Sequence, residues 1–207
     1  MSDDLVFYTN PQSRGRIARW MLEEAGADYR TEVVDYASRM KSAEYLAINP
    51  MGKVPAIVHH GKVVTEGAAI CAYLAEAFPE AGLAPRPEER ADYYRWLFFA
   101  AGPVEQAVTN NHAKFDPSPE QTRMFGYGNY ATTVAVLEKA VSAHPYIAGD
   151  RFTAADVYVG SAVGWGTLFG TLPKHAAFTD YFERLRSREA FQRAAAKDDA
   201  LVEKAQA

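Results

Sequence analysis

The sequence predicts two architectures in succession, an α/β segment followed by an all-helical one. Strand-like runs occur at residues 5–8, 29–34, 56–59 and 62–65, helical apolar stripes fill the later chain, and Pro79, Pro85 and Pro87 cluster where the pattern changes. The expected domains are residues 1–79 and 89–207, with a linker at 80–88.

Residues 5–8 are apolar throughout, as a central strand buried on both faces requires, and Thr9-Asn10-Pro11 then forms a turn cluster. A helix follows from near Ser13, with Ile17, Trp20 and Met21 as its buried face and Gly26 placed to close it. Residues 29–34 alternate and are β-branched, so a strand arriving after a helix predicts a parallel β-α-β unit. Residues 35–47 are polar and mixed, without a clear period. Residues 56–59 and 62–65 are strands joined by His60-Gly61, a two-residue hairpin whose turn needs positive φ. From Glu66 the spacing turns helical through Ile70, Tyr73, Leu74, Ala77 and Phe78, and Pro79 ends it.

Beyond the prolines, one helical stripe runs through Tyr94, Leu97, Phe98 and Ala101, with a kink expected at Gly102-Pro103. A long loop over residues 110–119 separates it from a second stripe at Met124, Tyr127, Ala131, Val134 and Leu137. Thr153-Ala154-Ala155-Asp156 starts another helix as an acidic capping box. Inside that helix Gly160, Gly164 and Gly166 each cost about 1 kcal/mol in propensity, which points to close packing against a neighbour. Residues 197–207 are polar enough to fray.

The chain has 207 residues, 48% apolar and 23% charged, with a formal charge of −4, so it folds throughout and has no electrostatic reason to bind nucleic acid or an anionic membrane. Met1-Ser2-Asp3-Asp4 is not a signal-peptide start and no apolar run approaches the ~20 residues a membrane span needs, giving a cytoplasmic expectation. Cys71 is the single cysteine, which removes a Cys-x-x-Cys redox pair, and its apolar neighbours suggest an inert, packed thiol. The five histidines lack metal-ligand spacing, so no metal is expected.

If the β-α-β-β-α order forms one sheet, Tyr8, Ser13, Val54 and Glu66 converge. Pro55 reads either as a trans edge-strand proline or as a cis bond that leaves the Val54 N–H and C=O open to an extended peptide. Glu66 and Gly67 open a helix: either they are simply favourable there, or Glu66 holds an ammonium while the free N–H groups take a carboxylate. Ser13 is first a helix cap, and its hydroxyl also stands where it could donate to a thiolate.

These residues resemble the soluble glutathione transferases, over nearly the whole chain. Asn49-Pro50-Met51-Gly52-Lys53-Val54-Pro55 looks like that family's Asn-Pro-x-Gly-x-Val-Pro segment, Thr65-Glu66-Gly67-x-Ala69-Ile70 with Tyr73-Leu74 its acidic glutamyl motif, and Phe152-Thr153-x-Ala155-Asp156 its second-domain capping box. The resemblance implies a thioredoxin-like domain before a helical bundle, in a cytoplasmic homodimer with glutathione as co-substrate. By analogy Val54 pairs with the cysteinyl backbone beside cis-Pro55, and Glu66 binds the glutamyl amine. The Gly67 N–H meets the glutamyl carboxylate where the family commonly has Ser, and Lys53 either reaches the glycyl carboxylate or is a solvated surface lysine. Ser13, at the Ser or Cys position of the bacterial type, is the preferred activating residue; Tyr8, twelve residues before Trp20, is the alternative.

The implied activity is conversion of the glutathione thiol to a thiolate that attacks a small hydrophobic electrophile. Tyr94, Phe98, Phe115 and Trp165 are candidates for the electrophile pocket, or else core aromatics. A glutathione-dependent isomerase, peroxidase or dehalogenase, and a non-catalytic interaction or stress-response protein, are the alternatives on the same fold.

Overall fold

A central strand buried on both faces organises the first part of the chain. The computed structural model describes residues 4–206, and there β1 (Leu5–Thr9) has Leu5, Phe7 and Thr9 shielded from solvent. It pairs in parallel with β2 (Arg30–Val33) and antiparallel with β3 (Ala56–His59), which pairs antiparallel with β4 (Lys62–Thr65), giving the order β2-β1-β3-β4. The parallel pair needs a crossover, and α1 (Gly15–Glu24) supplies it, burying Ile17, Trp20 and Met21 as their spacing predicts. The β3–β4 turn has His60 at φ 49° and Gly61 at φ 74°, the two positive values a tight hairpin demands.

Residues 35–47 hold structure that their sequence does not announce. A 3₁₀ turn at Arg39–Lys41 leads into α2 (Ala43–Ile48), six residues capped by Ser42, whose Oγ accepts from the Tyr45 N–H at 3.3 Å. Six residues are too few for an apolar period, so α2 owes its existence to burial of Tyr45 with Val34 and Met40. The last helix of this half, α3 (Gly67–Ala77), buries Ile70, Cys71 and Leu74. The sheet with these helices is the thioredoxin-like arrangement that the resemblance implied.

The remaining helices are α4 (Arg90–Phe99), α5 (Glu105–His112), α6 (Tyr130–Ala143), α7 (Ala154–Phe169), α8 (Ala176–Arg186) and α9 (Glu189–Gln206). By contact density the described residues up to Ala84, together with those from Ser187 onward, form one compact unit and Pro85–Arg186 the other. The chain-order division at 89–207 therefore differs from the packing: α9 returns to the first unit and lies on α1. Residues 197–206, expected to fray, are helical because Asp198 is buried there; Ala207 lies outside the described residues.

In the second unit α7 is the central helix. Beta carbons at Gly164 and Gly166 would stand 2.4 Å from the Phe182 ring and 2.5 Å from Leu172, so these glycines permit close packing, as their propensity cost implied. The expected kink is a π-type turn at Ala100–Val104 containing Pro103. The second stripe is shorter than its spacing suggested: α6 starts at Tyr130 because the Asn129 side chain caps it, leaving Met124 exposed and Tyr127 buried in the preceding loop. Among the described residues no helix is long and apolar enough to cross a membrane.

Asp156 does more than close a capping box. Its carboxylate accepts from the Thr153 N–H and hydroxyl at 2.9 and 3.1 Å, the Ile147 N–H at 2.7 Å and the Tyr181 hydroxyl at 2.8 Å, all buried. Removing it orphans donors from three segments, so Asp156→Ala is expected to lower unfolding free energy by roughly 3–5 kcal/mol in urea titration. A loss below about 1 kcal/mol would mean these donors find other partners.

Candidate functional site

Strand register brings the candidate residues to one end of the sheet. Tyr8 stands opposite Ala56, and Ala56 opposite Thr65. The next residue along each strand therefore lines up Thr9, Pro55 and Glu66, with the loop carrying Ser13 leaving from the end of β1.

The Val54-Pro55 bond is cis. The segment before it is held by its own backbone: the Lys53 carbonyl accepts from the Tyr45 hydroxyl at 2.6 Å and from Asn49 Nδ2 at 2.8 Å, while Asn49 Oδ1 accepts from the Met51 N–H at 3.1 Å. Gly52 turns the chain at φ 56°, and a beta carbon there would lie 2.9 Å from the Met40 carbonyl, so glycine is required on both counts. Lys41 Nζ donates to the Gly52 carbonyl at 3.0 Å. The half-buried Val54 side chain packs against Val34, Met40 and Tyr45. Among the described residues its N–H and C=O form no hydrogen bond, leaving an extended edge of backbone. Lys53 is exposed beside it.

Glu66 is exposed and precedes α3 at φ 65°, ψ 119°, a conformation that costs a non-glycine residue about 1–3 kcal/mol. That backbone aims the chain into α3, so the half-buried Gly67 opens the helix with its N–H at the positive dipole end. A carboxylate and a helix start thus lie next to the open Val54 edge.

Tyr8 and Thr9 occupy different surroundings, because alternate residues of β1 point to opposite faces. Thr9 faces α1: a beta carbon on Gly15 would sit 2.0 Å from Thr9 Oγ1 and 3.0 Å from Ser13 Oγ. Tyr8 faces α2, its ring 5.8 Å from that of Tyr45. It borders a cavity of about 380 Å³ shared with Arg39, Ser42, Glu44, Tyr45 and Ile48. Ser13 Oγ donates to the Asn10 carbonyl at 2.6 Å and accepts from the Gly15 N–H at 2.9 Å. It is half-buried, and its proton is carried by a rotor that can turn towards another acceptor.

The four aromatics expected for an electrophile pocket lie on three different elements of the second unit. Tyr94 and Phe98 stack at 6.5 Å on the exposed side of α4, whose buried residues are Tyr93 and Leu97. Phe115 meets Phe125 edge-on at 5.6 Å in the loop before α6, and Trp165 is half-buried on α7. Cys71 is wholly buried, which pushes its thiol far above the usual range. Among the described residues no cluster of three or more His, Cys, Asp or Glu side chains suits a metal.

Sequence reasoning missed Tyr45 and Lys41, which together with Asn49 hold the loop before Pro55. Neither carries a local signal, since both act through the unannounced segment at α2. The Gly15 contact generates a test: Gly15→Ala should cost about 1–3 kcal/mol by overpacking, measured by urea unfolding. Thr9→Ala in the same chain should recover part of that loss by removing the clashing oxygen.

Comparison with known proteins agrees with this geometry. Residues 14–77 match the family model for the glutathione S-transferase N-terminal domain. The chain is 31% identical over 198 residues to the Escherichia coli K12 disulfide-bond oxidoreductase YfcG, covering 88% of this chain and 90% of that one. Among solved structures, a glutathione transferase from Methylococcus capsulatus superposes with TM-score 0.76 at 29% identity, covering 95% and 99% of the two chains. The theta class enzyme of Xanthomonas axonopodis pv. citri, solved with glutathione bound, gives TM-score 0.74 at 27% identity, covering 93% and 97%. With the motifs at residues 49–55 and 65–70 and the thioredoxin-like sheet behind them, these likenesses assign the chain to the glutathione S-transferase family.

Proposed function

We propose that the protein is a glutathione transferase that activates the glutathione thiol as a thiolate for attack on a small hydrophobic electrophile. The observation carrying this reading is the open Val54 backbone beside cis-Pro55, aligned by register with Glu66 and the Ser13 loop. Glutathione would lie extended, its cysteinyl backbone paired with Val54, its glutamyl amine on Glu66 and its glutamyl carboxylate on the Gly67 N–H. Lys53 is the proposed partner of the glycyl carboxylate.

Ser13 is the proposed thiolate donor. A thiol of pKa ~8.5 is only a few per cent ionised at pH 7, and a shift of two units, ~2.7 kcal/mol, makes the thiolate the majority form. The Gly15 N–H that donates to Ser13 Oγ polarises the hydroxyl and strengthens it as a donor once its proton turns from Asn10 to sulfur. Tyr8 is the weaker candidate, since its ring belongs to the α2 face. The thiolate attacks the electrophilic carbon, forming the C–S bond as the leaving group departs or a double bond takes up the electron pair. Tyr94, Phe98, Phe115 and Trp165 are the proposed contacts for the electrophile, and a cytoplasmic homodimer is the proposed form.

A second reading, glutathione-dependent disulfide exchange, draws on the likeness to YfcG. Cys71 is too buried to serve, so in that reaction the attacking thiol would also be glutathione's.

Titration with glutathione, following thiolate absorbance against pH, tests the proposal. Wild type should bind and ionise the thiol below its solution pKa; Ser13→Ala should lose the ionisation and keep most affinity; Tyr8→Phe should change it little. No binding by wild type ends the glutathione reading, and an unaffected Ser13→Ala with a Tyr8→Phe that loses the thiolate signal moves the role to Tyr8.

A further inference from the structure

The segment most remote in sequence from Ser13 is tied to the loop that carries it. Helix α9, with Arg188 just before it, runs against α1 along a seam of opposite charges: Arg188 pairs with both Glu24 oxygens at 2.7 Å, Lys197 and Arg193 with Glu23, Asp198 with Arg19 at 2.7 Å, and Asp199 with Arg16 at 2.7 Å. Trp20 and Phe191 add an edge-to-face contact at 5.0 Å. The Arg19–Asp198 pair is enclosed, with side-chain exposures of 3% and 1%, and sets the register of the two helices.

That register matters because of the neighbouring pair. The Arg16 guanidinium gives Nη2 to Asp199 and, from the same rigid plane, Nε to the Pro11 carbonyl at 2.6 Å. Pro11 follows Asn10, whose carbonyl accepts the Ser13 hydroxyl and whose Nδ2 donates to the Val34 carbonyl at 3.1 Å. The loop is thus pinned to the sheet side at Asn10 and to α9 at Pro11, by way of Arg16. Without Asp199 the Nη2 hydrogen bond is lost, and only the undirected attraction of the buried Asp198 charge holds Arg16 towards α9, so its Nε can turn from Pro11 towards water.

We propose that Asp199 is a positioning residue for the Ser13 hydroxyl, acting through Arg16 and the Pro11 carbonyl, and so tunes the ionisation of bound glutathione. The inference rests on the reading of Ser13 as thiolate donor. Asp199 is itself 61% exposed at the side chain, so its replacement removes no buried packing and breaks none of the Arg19–Asp198 hydrogen bonds.

The test is the pH titration of bound glutathione thiolate in wild type, Asp199→Asn, Asp199→Glu and Glu203→Gln, with circular dichroism to check the helices. Asp199→Asn should keep its helical spectrum and bind glutathione within about twofold of wild type, while the ratio of thiolate to thiol at a fixed pH near the bound pKa falls about two- to fivefold, the scale of one exposed ion pair. Asp199→Glu should restore part of the signal, and Glu203→Gln should match wild type. An Asp199→Asn curve that superimposes on wild type, or an equal shift in Glu203→Gln, overturns the inference while leaving the function standing. A wild type that shows no thiolate removes the function itself.

Discussion

The hydrogen-bond register of β1 with β3 and β4 is the constraint on which this site depends. Tyr8, Ala56 and Thr65 stand in one row, which forces Thr9, Pro55 and Glu66 into the next. A slip of one residue would turn Phe7 and Ile57, both fully buried, to the wrong faces, so the apolar pattern locks the register and with it the site. The placement of polar residues at the sheet end is a by-product of how the apolar ones pack.

What that end of the sheet offers is mostly backbone. Tyr45 and Asn49 hold the Lys53 carbonyl, Lys41 holds that of Gly52, and the Val54 N–H and C=O beside the cis bond have no hydrogen-bond partner among the described residues. Under the proposed function such an edge would pair with the main chain of an extended peptide, and the charged groups beside it with its ends. Strain is concentrated at Glu66, whose positive φ is set by the strand on one side and α3 on the other. The α1–α9 seam extends the same logic, since side chains distant in sequence fix carbonyls rather than touch a substrate.

Much of this was legible in the sequence because the signals are local. The His60-Gly61 hairpin, the α1 stripe, the capping box at Thr153 and the packing glycines of α7 each depend on residues within about four positions of one another. Helix α2 was not legible, because six residues carry no period and its burial comes from Val34 and Met40 outside it. The α6 stripe was read as too long, since Met124 and Tyr127 have helical spacing but Asn129 caps the helix after them. On α4, Tyr94 and Phe98 share a helical face with each other, yet Tyr93 and Leu97 form the buried one.

By itself the sequence determined the four strands, the helices around Trp20, Ile70 and Asp156, the motif around Pro55 and the acidic start of α3, because turn chemistry and apolar periodicity act over short distances. Only the tertiary structure decided that Tyr8 packs against α2 while Thr9 meets Gly15 of α1, since the face a strand residue takes depends on which helix packs against it. It alone decided that α9 belongs with the sheet, through a buried pair between Arg19 and Asp198, 179 positions apart. A solvated, polar helix end and one clasped to a distant loop have the same composition, and what separates them is the partner that folding brings alongside.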